Sequence, residues 1–172
     1  MTIFNIDISG QIHNKWGNPT VLAIVSDDHE TKCSIRIEAA EKKVLRKVFI
    51  RKEKTKKSQK HNSRVIALIF AYMIFRLIDM NYQNIEKVII CPDHRPKESV
   101  YRFLLQISSK HGYPILSDDI EIKFRNIKKR SGAHKYALKV LRKHKVADIV
   151  IKKKDVTELK SLIHDLIMKK MM

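Results

Sequence analysis

The sequence predicts an α/β domain built around one mixed sheet of about five to six strands. Two patterns carry this expectation. Residues 1–38 hold three short apolar or alternating segments separated by turn residues. After them, strand-like and helix-like segments alternate to the C-terminus, in the order β-β-β-α-β-α-β-α-β-α. A hydrophobic fraction of 44% over 172 residues is enough for one packed core. The expected organisation is a single domain over residues 1–172, with a core of about 1–145 and a C-terminal strand–helix unit of about 146–172.

Ile3 to Ser9 reads as a strand because Ile3, Phe4, Ile6 and Ile8 surround a single acid, Asp7. Gly17, Asn18 and Pro19 punctuate the turn that follows, and Thr20 to Val25 is a second apolar strand. Ser26 to Glu30 marks a hairpin turn. Lys32 to Glu38 then alternates Cys33, Ile35 and Ile37 against Lys32, Ser34, Arg36 and Glu38, the period of a strand. Three strands joined by two turns predict an antiparallel meander. Ala39 to Ile50 has helical spacing at Ala40, Val44, Leu45, Val48 and Phe49. The basic run Arg51 to Lys60 is open to two readings, a mobile loop or a helical extension, and Asn62 or Ser63 is the expected cap of the next helix. Val65 to Met80 is apolar almost all round and predicts a buried helix.

Glu86 to Cys91 is a short strand stopped by Pro92, Lys97 to Lys110 carries a helical stripe, and Ile120 to Phe124 alternates as a strand. Ala133 to Lys143 places Ala133, Tyr136, Ala137, Val140 and Leu141 on one helical face. Val146 to Ile151 reads as a strand, and Asp155 as the N-cap of a last helix.

Charge is the strongest compositional feature. Lys and Arg number 36 against 18 Asp and Glu, a formal net charge of +18. Such an excess calls for a polyanionic partner, of which nucleic acid is the commonest. The plainer alternative is a solvated lysine-rich surface, but lysine enrichment of that kind normally comes with matching acids. The basic residues cluster. Lys42, Lys43, Arg46, Lys47, Arg51, Lys52, Lys54, Lys56, Lys57 and Lys60 form one block; Arg125, Lys128, Lys129 and Arg130 form a second; Lys139, Arg142, Lys143, His144 and Lys145 lead into Lys152, Lys153 and Lys154. Within them, the basic residues from Arg46 to Lys60 and Lys128, Lys129 and Arg130 are the expected nucleic-acid contacts. Aromatics do not interleave with them, which favours backbone and shape recognition over base stacking. Two cysteines, Cys33 and Cys91, make no disulfide framework and no four-thiolate zinc site. No signal-like N-terminus is apparent, and the apolar run Val65 to Ile78 falls short of the ~20 residues of a membrane span. A soluble protein of the reducing cytoplasm, with no membrane partner, is the expectation.

Asp7 is the residue most in need of explanation. A carboxylate in an apolar strand is costly unless paired, hydrogen-bonded or metal-bound. Alternation puts it opposite Ile6 and Ile8, on the side of Asn5 and Ser9. Asp93 follows the strand that ends at Cys91. If these two strands are parallel neighbours, the two acids meet. Converging carboxylates suit Mg²⁺ or Mn²⁺, which take oxygen ligands and assist phosphodiester hydrolysis. Each residue also has a plainer reading. Asp7 can be bonded to backbone amides or a lysine, Asp93 can be a turn residue, and the cysteines are buried small apolar groups. No Walker A loop, nucleotide-fold glycine triad or zinc-protease motif is present.

The segment Ile6-Asp7-Ile8-Ser9-Gly10, with the strand Thr20 to Val25 after it, resembles the opening of ribonuclease H-like proteins, in particular members with an Asp-x-Ser-Gly first strand. The order of elements fits that fold over roughly Met1 to Lys145. Asp7-Ile8-Ser9-Gly10 also resembles the first phosphate loop of actin-like ATPases, but that fold needs a second half this chain lacks. The ribonuclease H-like resemblance implies a divalent-metal-dependent nuclease acting on RNA, RNA–DNA hybrid or branched DNA. By motif position Asp7 resembles the first-strand aspartate and Asp93 the acid after the fourth strand; both would be catalytic and metal-binding. The acid expected on the first long helix is missing from Lys60 to Ile78. On the later helix His134 stands near the place of an acid, as ligand or general base, and Asp148 is a further catalytic candidate. This incomplete acid set leaves a second reading open, a noncatalytic nucleic-acid-binding module on the same fold, either alone or as a subunit of a larger complex.

Overall fold

A computed structural model describes residues 2–10, 16–81, 85–91, 97–112, 120–127 and 131–169. It is an α/β fold with a six-stranded mixed sheet in the order β5-β4-β1-β2-β3-β6. The strands are β1 (Ile3–Ser9), β2 (Thr20–Ser26), β3 (Lys32–Ile37), β4 (Lys87–Ile90), β5 (Glu121–Phe124) and β6 (Ile149–Val150). β1, β2 and β3 form the expected antiparallel meander. β4 runs parallel to β1 on its other side, β5 runs parallel to β4, and β6 runs parallel to β3. The helices are α1 (Ala39–Phe49), α2 (Lys56–Asp79), α3 (Lys97–Lys110), α4 (Gly132–Leu141) and α5 (Lys153–Ile163); α5 continues into a π-helical turn, His164–Met168.

Strand alternation divides the sheet into two unlike faces. Phe4, Ile6, Ile8, Leu22, Ile24, Cys33, Ile35 and Ile37 face α2, α3 and α5 in the main core. The opposite face gives Val21, Ala23 and Val25 to α4, which packs on them through Ala133, Tyr136, Ala137 and Val140. α2 lies at the centre of the main core. Val65 and Ala67–Phe75 are buried, as are Leu77 and Ile78, and each large side chain removed from water there contributes about 1.5–3 kcal/mol. By length and composition α2 could cross a membrane, but 72% of its apolar window is buried inside the fold.

Two helix starts differ from expectation. α2 begins at Lys56, inside the basic run, because Thr55 accepts a hydrogen bond from the Ser58 N–H at 3.1 Å. Asn62, an expected cap, is used differently. Its side chain both accepts from the Arg51 N–H and donates to the Arg51 carbonyl, each at 2.9 Å, and so fixes the α1–α2 connection. α5 begins at Lys153. Asp155 sits in its first turn and reaches back to accept from the Lys152 N–H at 2.8 Å. The main apolar alternation of β3 is as expected, but its polar residues do not simply face water: Ser34 is fully buried and Arg36 is 7% exposed. Gly10 ends β1 at φ 81°, where a Cβ would stand 2.6 Å from the Pro19 carbonyl oxygen.

A polar latch ties α5 to the core. Arg76 on α2 donates to Asp155 at 2.5 Å and to the Tyr72 hydroxyl at 3.0 Å; that hydroxyl donates to Glu158 at 2.7 Å. Asp155 is only 3% exposed. Asp155→Ala would take the carboxylate from the partly buried Arg76 guanidinium and remove the helix-start bond. It is expected to cost about 2–3 kcal/mol in urea unfolding, with earlier amide exchange in α5.

Lys42 on α1 is fully buried. Its amine donates to the Asn18 carbonyl and the Thr20 hydroxyl, both at 2.9 Å, with the Trp16 ring centroid 6.0 Å away. Burial pushes the Lys42 amine down to about 8 from an ordinary value of 10.5. The folded chain therefore gives up this proton near pH 8, while the unfolded chain keeps it to about pH 10.5. Through that window the unfolded state binds more protons, so this group adds stability as pH rises and contributes no slope below it. From about pH 9 the Cys33 thiol, which burial raises to about 11, acts in the opposite direction. The difference in unfolding free energy between the wild type and Lys42→Met, followed from pH 7.5 upward (roughly the start of the window), is expected to move in favour of the wild type; a flat difference would refute it.

Candidate functional site

Asp7 occupies the position that alternation assigned to it, on the α4 face of the central strand, 5% exposed. One carboxylate oxygen accepts from the Ile8 N–H at 2.7 Å. The other lies 3.4 Å from His134 Nδ1, long for a hydrogen bond. His134 is in the first turn of α4, with 34% of its side chain exposed. Ser131 caps that helix by accepting from the His134 N–H at 3.1 Å. The cap sets where the helix begins, and so which of its residues meets β1. Two sequence candidates are thus brought together: a buried acid and a half-exposed imidazole.

Asp148 is placed elsewhere. In register, Asp7 pairs with Ala23 and Ala23 with Ser34, two strand spacings or about 10 Å from Asp7. Asp148 accepts from the Ser34 N–H at 2.8 Å, the Ser34 hydroxyl at 2.7 Å and the Tyr136 hydroxyl at 3.3 Å. It ties the start of β6 to β3 and to α4, rather than joining the Asp7 pair. Burial, with the Asp148 charge beside it, raises the Tyr136 hydroxyl above its usual range and keeps it a donor. Arg36, on the polar side of the β3 alternation, donates to the Val140 carbonyl at 3.0 Å and pairs with Glu38 at 2.5 Å.

Asp93 lies outside the described residues, as do Lys128, Lys129 and Arg130. β4 is the parallel neighbour of β1, and the Cys91 N–H donates to the Ile6 carbonyl at 3.0 Å. Both cysteines are buried, as expected of small apolar groups. The block Arg46, Lys47, Arg51, Lys52, Lys54, Lys56, Lys57 and Lys60 lies at the end of α1 and the start of α2. All are exposed except the half-buried Arg51. These helices cover the sheet face opposite Asp7, so the block is separated from the Asp7–His134 pair.

Among the described residues no group of three His, Cys, Asp or Glu side chains is placed to hold a metal ion. The donor chemistry still fits the expected Mg²⁺ or Mn²⁺ in one form. Hard cations are often bound by one or two carboxylates, with waters and substrate phosphate oxygens filling the remaining positions. Asp7 supplies such a carboxylate. Neither the protein-family models nor the curated proteins compared with the chain match it.

Asp148→Ala would leave three donors of Ser34 and Tyr136 without their acceptor. Because Asp148 is itself exposed, the expected cost is about 1–2 kcal/mol, read by chemical denaturation.

Proposed function

We propose that the chain is a ribonuclease H-like, divalent-metal-dependent phosphodiester hydrolase acting on nucleic acid. The observation that carries this reading is Asp7, a buried carboxylate on the central strand, facing a half-exposed histidine in the first turn of α4. The antiparallel meander and the parallel β1–β4 pair support it, since both are expected from the ribonuclease H-like resemblance. The net charge of +18 supports a polyanionic substrate.

In this reading Asp7 is the carboxylate that holds Mg²⁺ or Mn²⁺, and a bound cation supplies activation of water and stabilisation of the leaving oxygen. Asp7 also faces His134 Nδ1 and so favours a proton on that nitrogen, which sets the tautomer of the ring. His134 is the group that holds or moves a proton at the scissile phosphate. Arg46 to Lys60 binds backbone phosphates away from the bond that is cut. A noncatalytic nucleic-acid-binding module is the second reading. It is favoured by Asp148 being bonded to Ser34 and Tyr136 instead of joining Asp7.

Titration of Mg²⁺ and Mn²⁺ against RNA, hybrid, duplex and branched DNA separates the two. Under the first, metal-dependent cleavage is lost in Asp7→Asn and falls about a hundredfold or more in His134→Ala, with binding retained in both. Cleavage that survives Asp7→Asn would refute the assignment. Salt-sensitive binding with no cleavage in any of the three proteins would leave the binding module.

A further inference from the structure

Helix α4 has two working flanks. At 3.6 residues per turn, Ala133, Ala137 and Val140 point at the sheet, and His134 lies on the flank towards β1. Tyr136 lies on the flank towards β3, where its hydroxyl reaches Asp148, with Lys135 and Lys139 one turn apart beyond it. Between this second flank and the β2–β3 turn is a cavity of about 300 Å³, lined by His29, Lys32, Gly132, Lys135, Tyr136 and Lys139. The cavity wall thus carries three ammonium groups and an imidazole, contributed by two separate parts of the chain.

Among the described residues the three ammonium groups carry no paired counter-charge. Lys32, Lys135 and Lys139 form no ion pair with any described residue. Three neighbouring acids, Asp27, Asp28 and Asp148, are turned to other donors. Asp27 accepts from Asn5 at 2.6 Å, Asp28 accepts from the Ser26 hydroxyl and the Glu30 N–H, and Asp148 accepts from Ser34 and Tyr136. The wall is also shaped. His29 holds a left-handed backbone, φ 63°, and its ring closes against Gly132, where a Cβ would stand 2.6 Å from two ring atoms. A glycine at the head of α4 is what lets the imidazole form this side of the cavity.

We propose that this pocket binds a phosphomonoester: the terminal phosphate of a nucleic-acid strand. The choice of a strand rests on the proposed nucleic-acid function; the choice of a monoester rests on the pocket. A terminal phosphate carries about −1.5 to −2 charges near neutral pH and three acceptor oxygens, which matches several converging cations. An internal phosphodiester carries one charge and suits an open track such as Arg51–Lys60. A concave pocket also admits a chain end more readily than the middle of a strand. The pocket lies on the same helix as His134, on the flank away from Asp7. A strand end held here would enter the candidate centre from a fixed side.

The test compares oligonucleotides of one sequence that differ only at their ends: 5′-phosphate, 3′-phosphate, or hydroxyl at both. Binding is read by fluorescence anisotropy at fixed salt, without divalent metal. Inorganic phosphate and a nucleoside monophosphate are titrated separately by calorimetry. The wild type is expected to favour one phosphorylated end by about tenfold or more. The preference should vanish in Lys135→Ala/Lys139→Ala and persist in Lys135→Arg/Lys139→Arg. Both lysines are exposed, so far-UV circular dichroism should be unchanged. Equal affinity for phosphorylated and hydroxyl ends, or a preference that survives the double alanine variant, would overturn the pocket while leaving the nucleic-acid reading intact. Binding of phosphate and mononucleotide but of no strand would uphold the monoester site and overturn the nucleic-acid function.

Discussion

The arrangement on one face of the sheet follows from a carboxylate buried in the central strand. β1 has a neighbour on each side and lies between two helical layers, so Asp7 has little water to solvate it. The chain meets this with the Ile8 N–H on one oxygen and the His134 ring facing the other. The first partner belongs to β1 itself, whereas the second depends on where α4 lies. The small residues Ala133 and Ala137 let the helix come close to Val21, Ala23 and Val25, and the Ser131 cap fixes which residue of its first turn meets β1. The two faces therefore differ in kind. One is a broad apolar layer built around α2. The other, among the described residues, is α4 over a face that turns polar towards β3.

The parts of this fold that the sequence disclosed are those governed by local period. The alternation in Ile3–Ser9 assigned Asp7 to the face opposite Ile6 and Ile8, and the apolar run after Val65 predicted a buried helix; both hold. What local period did not disclose depends on partners distant in the chain. Asp148 and Ser34 are 114 residues apart, and nothing in Val146–Ile151 signals that the acid belongs to β3. Lys32, Ser34 and Arg36 alternate with apolar residues in the way a solvent-facing edge does. Ser34 and Arg36 are nonetheless buried, because a polar group can be covered once its bonds are made, and theirs come from Asp148, the Val140 carbonyl and Glu38. The start of α2 was obscured for a related reason. Lys56, Lys57 and Lys60 look like a solvated tract, and one threonine hydroxyl begins the helix. Of the candidate site, the pairing of Asp7 with His134 was legible as two residues of the right types, but not as a contact.

The excess positive charge is distributed with the same asymmetry. Arg46 to Lys60 projects from the α1–α2 side, over the apolar layer. Lys32, Lys135 and Lys139 stand on the α4 side, around a cavity. Repulsion within each group is tolerated because the side chains end in water, where unit charges a few ångströms apart interact by only about 1 kcal/mol. Lys42 is the exception. Its amine is buried against Asn18, Thr20 and Trp16, and its proton is held less tightly as a result. That lysine is part of the packing that holds α1 to the start of β2, so the basic composition contributes to architecture as well as to surface potential.

Helix α4 connects these observations. Its sheet-facing residues are small or flat, so it approaches closely; its β1 flank carries the histidine that meets Asp7; its β3 flank carries Tyr136 and two lysines. The Arg36 bond to the Val140 carbonyl and the Asp148 bond to Tyr136 hold that flank from below. A shift of the helix along its axis by one residue rise, about 1.5 Å, would disturb the Asp7–His134 pair and the cavity wall together. The candidate centre and the proposed phosphate pocket are therefore mechanically one unit, and substitutions at Ser34 or Arg36, which touch neither, should affect both through the position of α4.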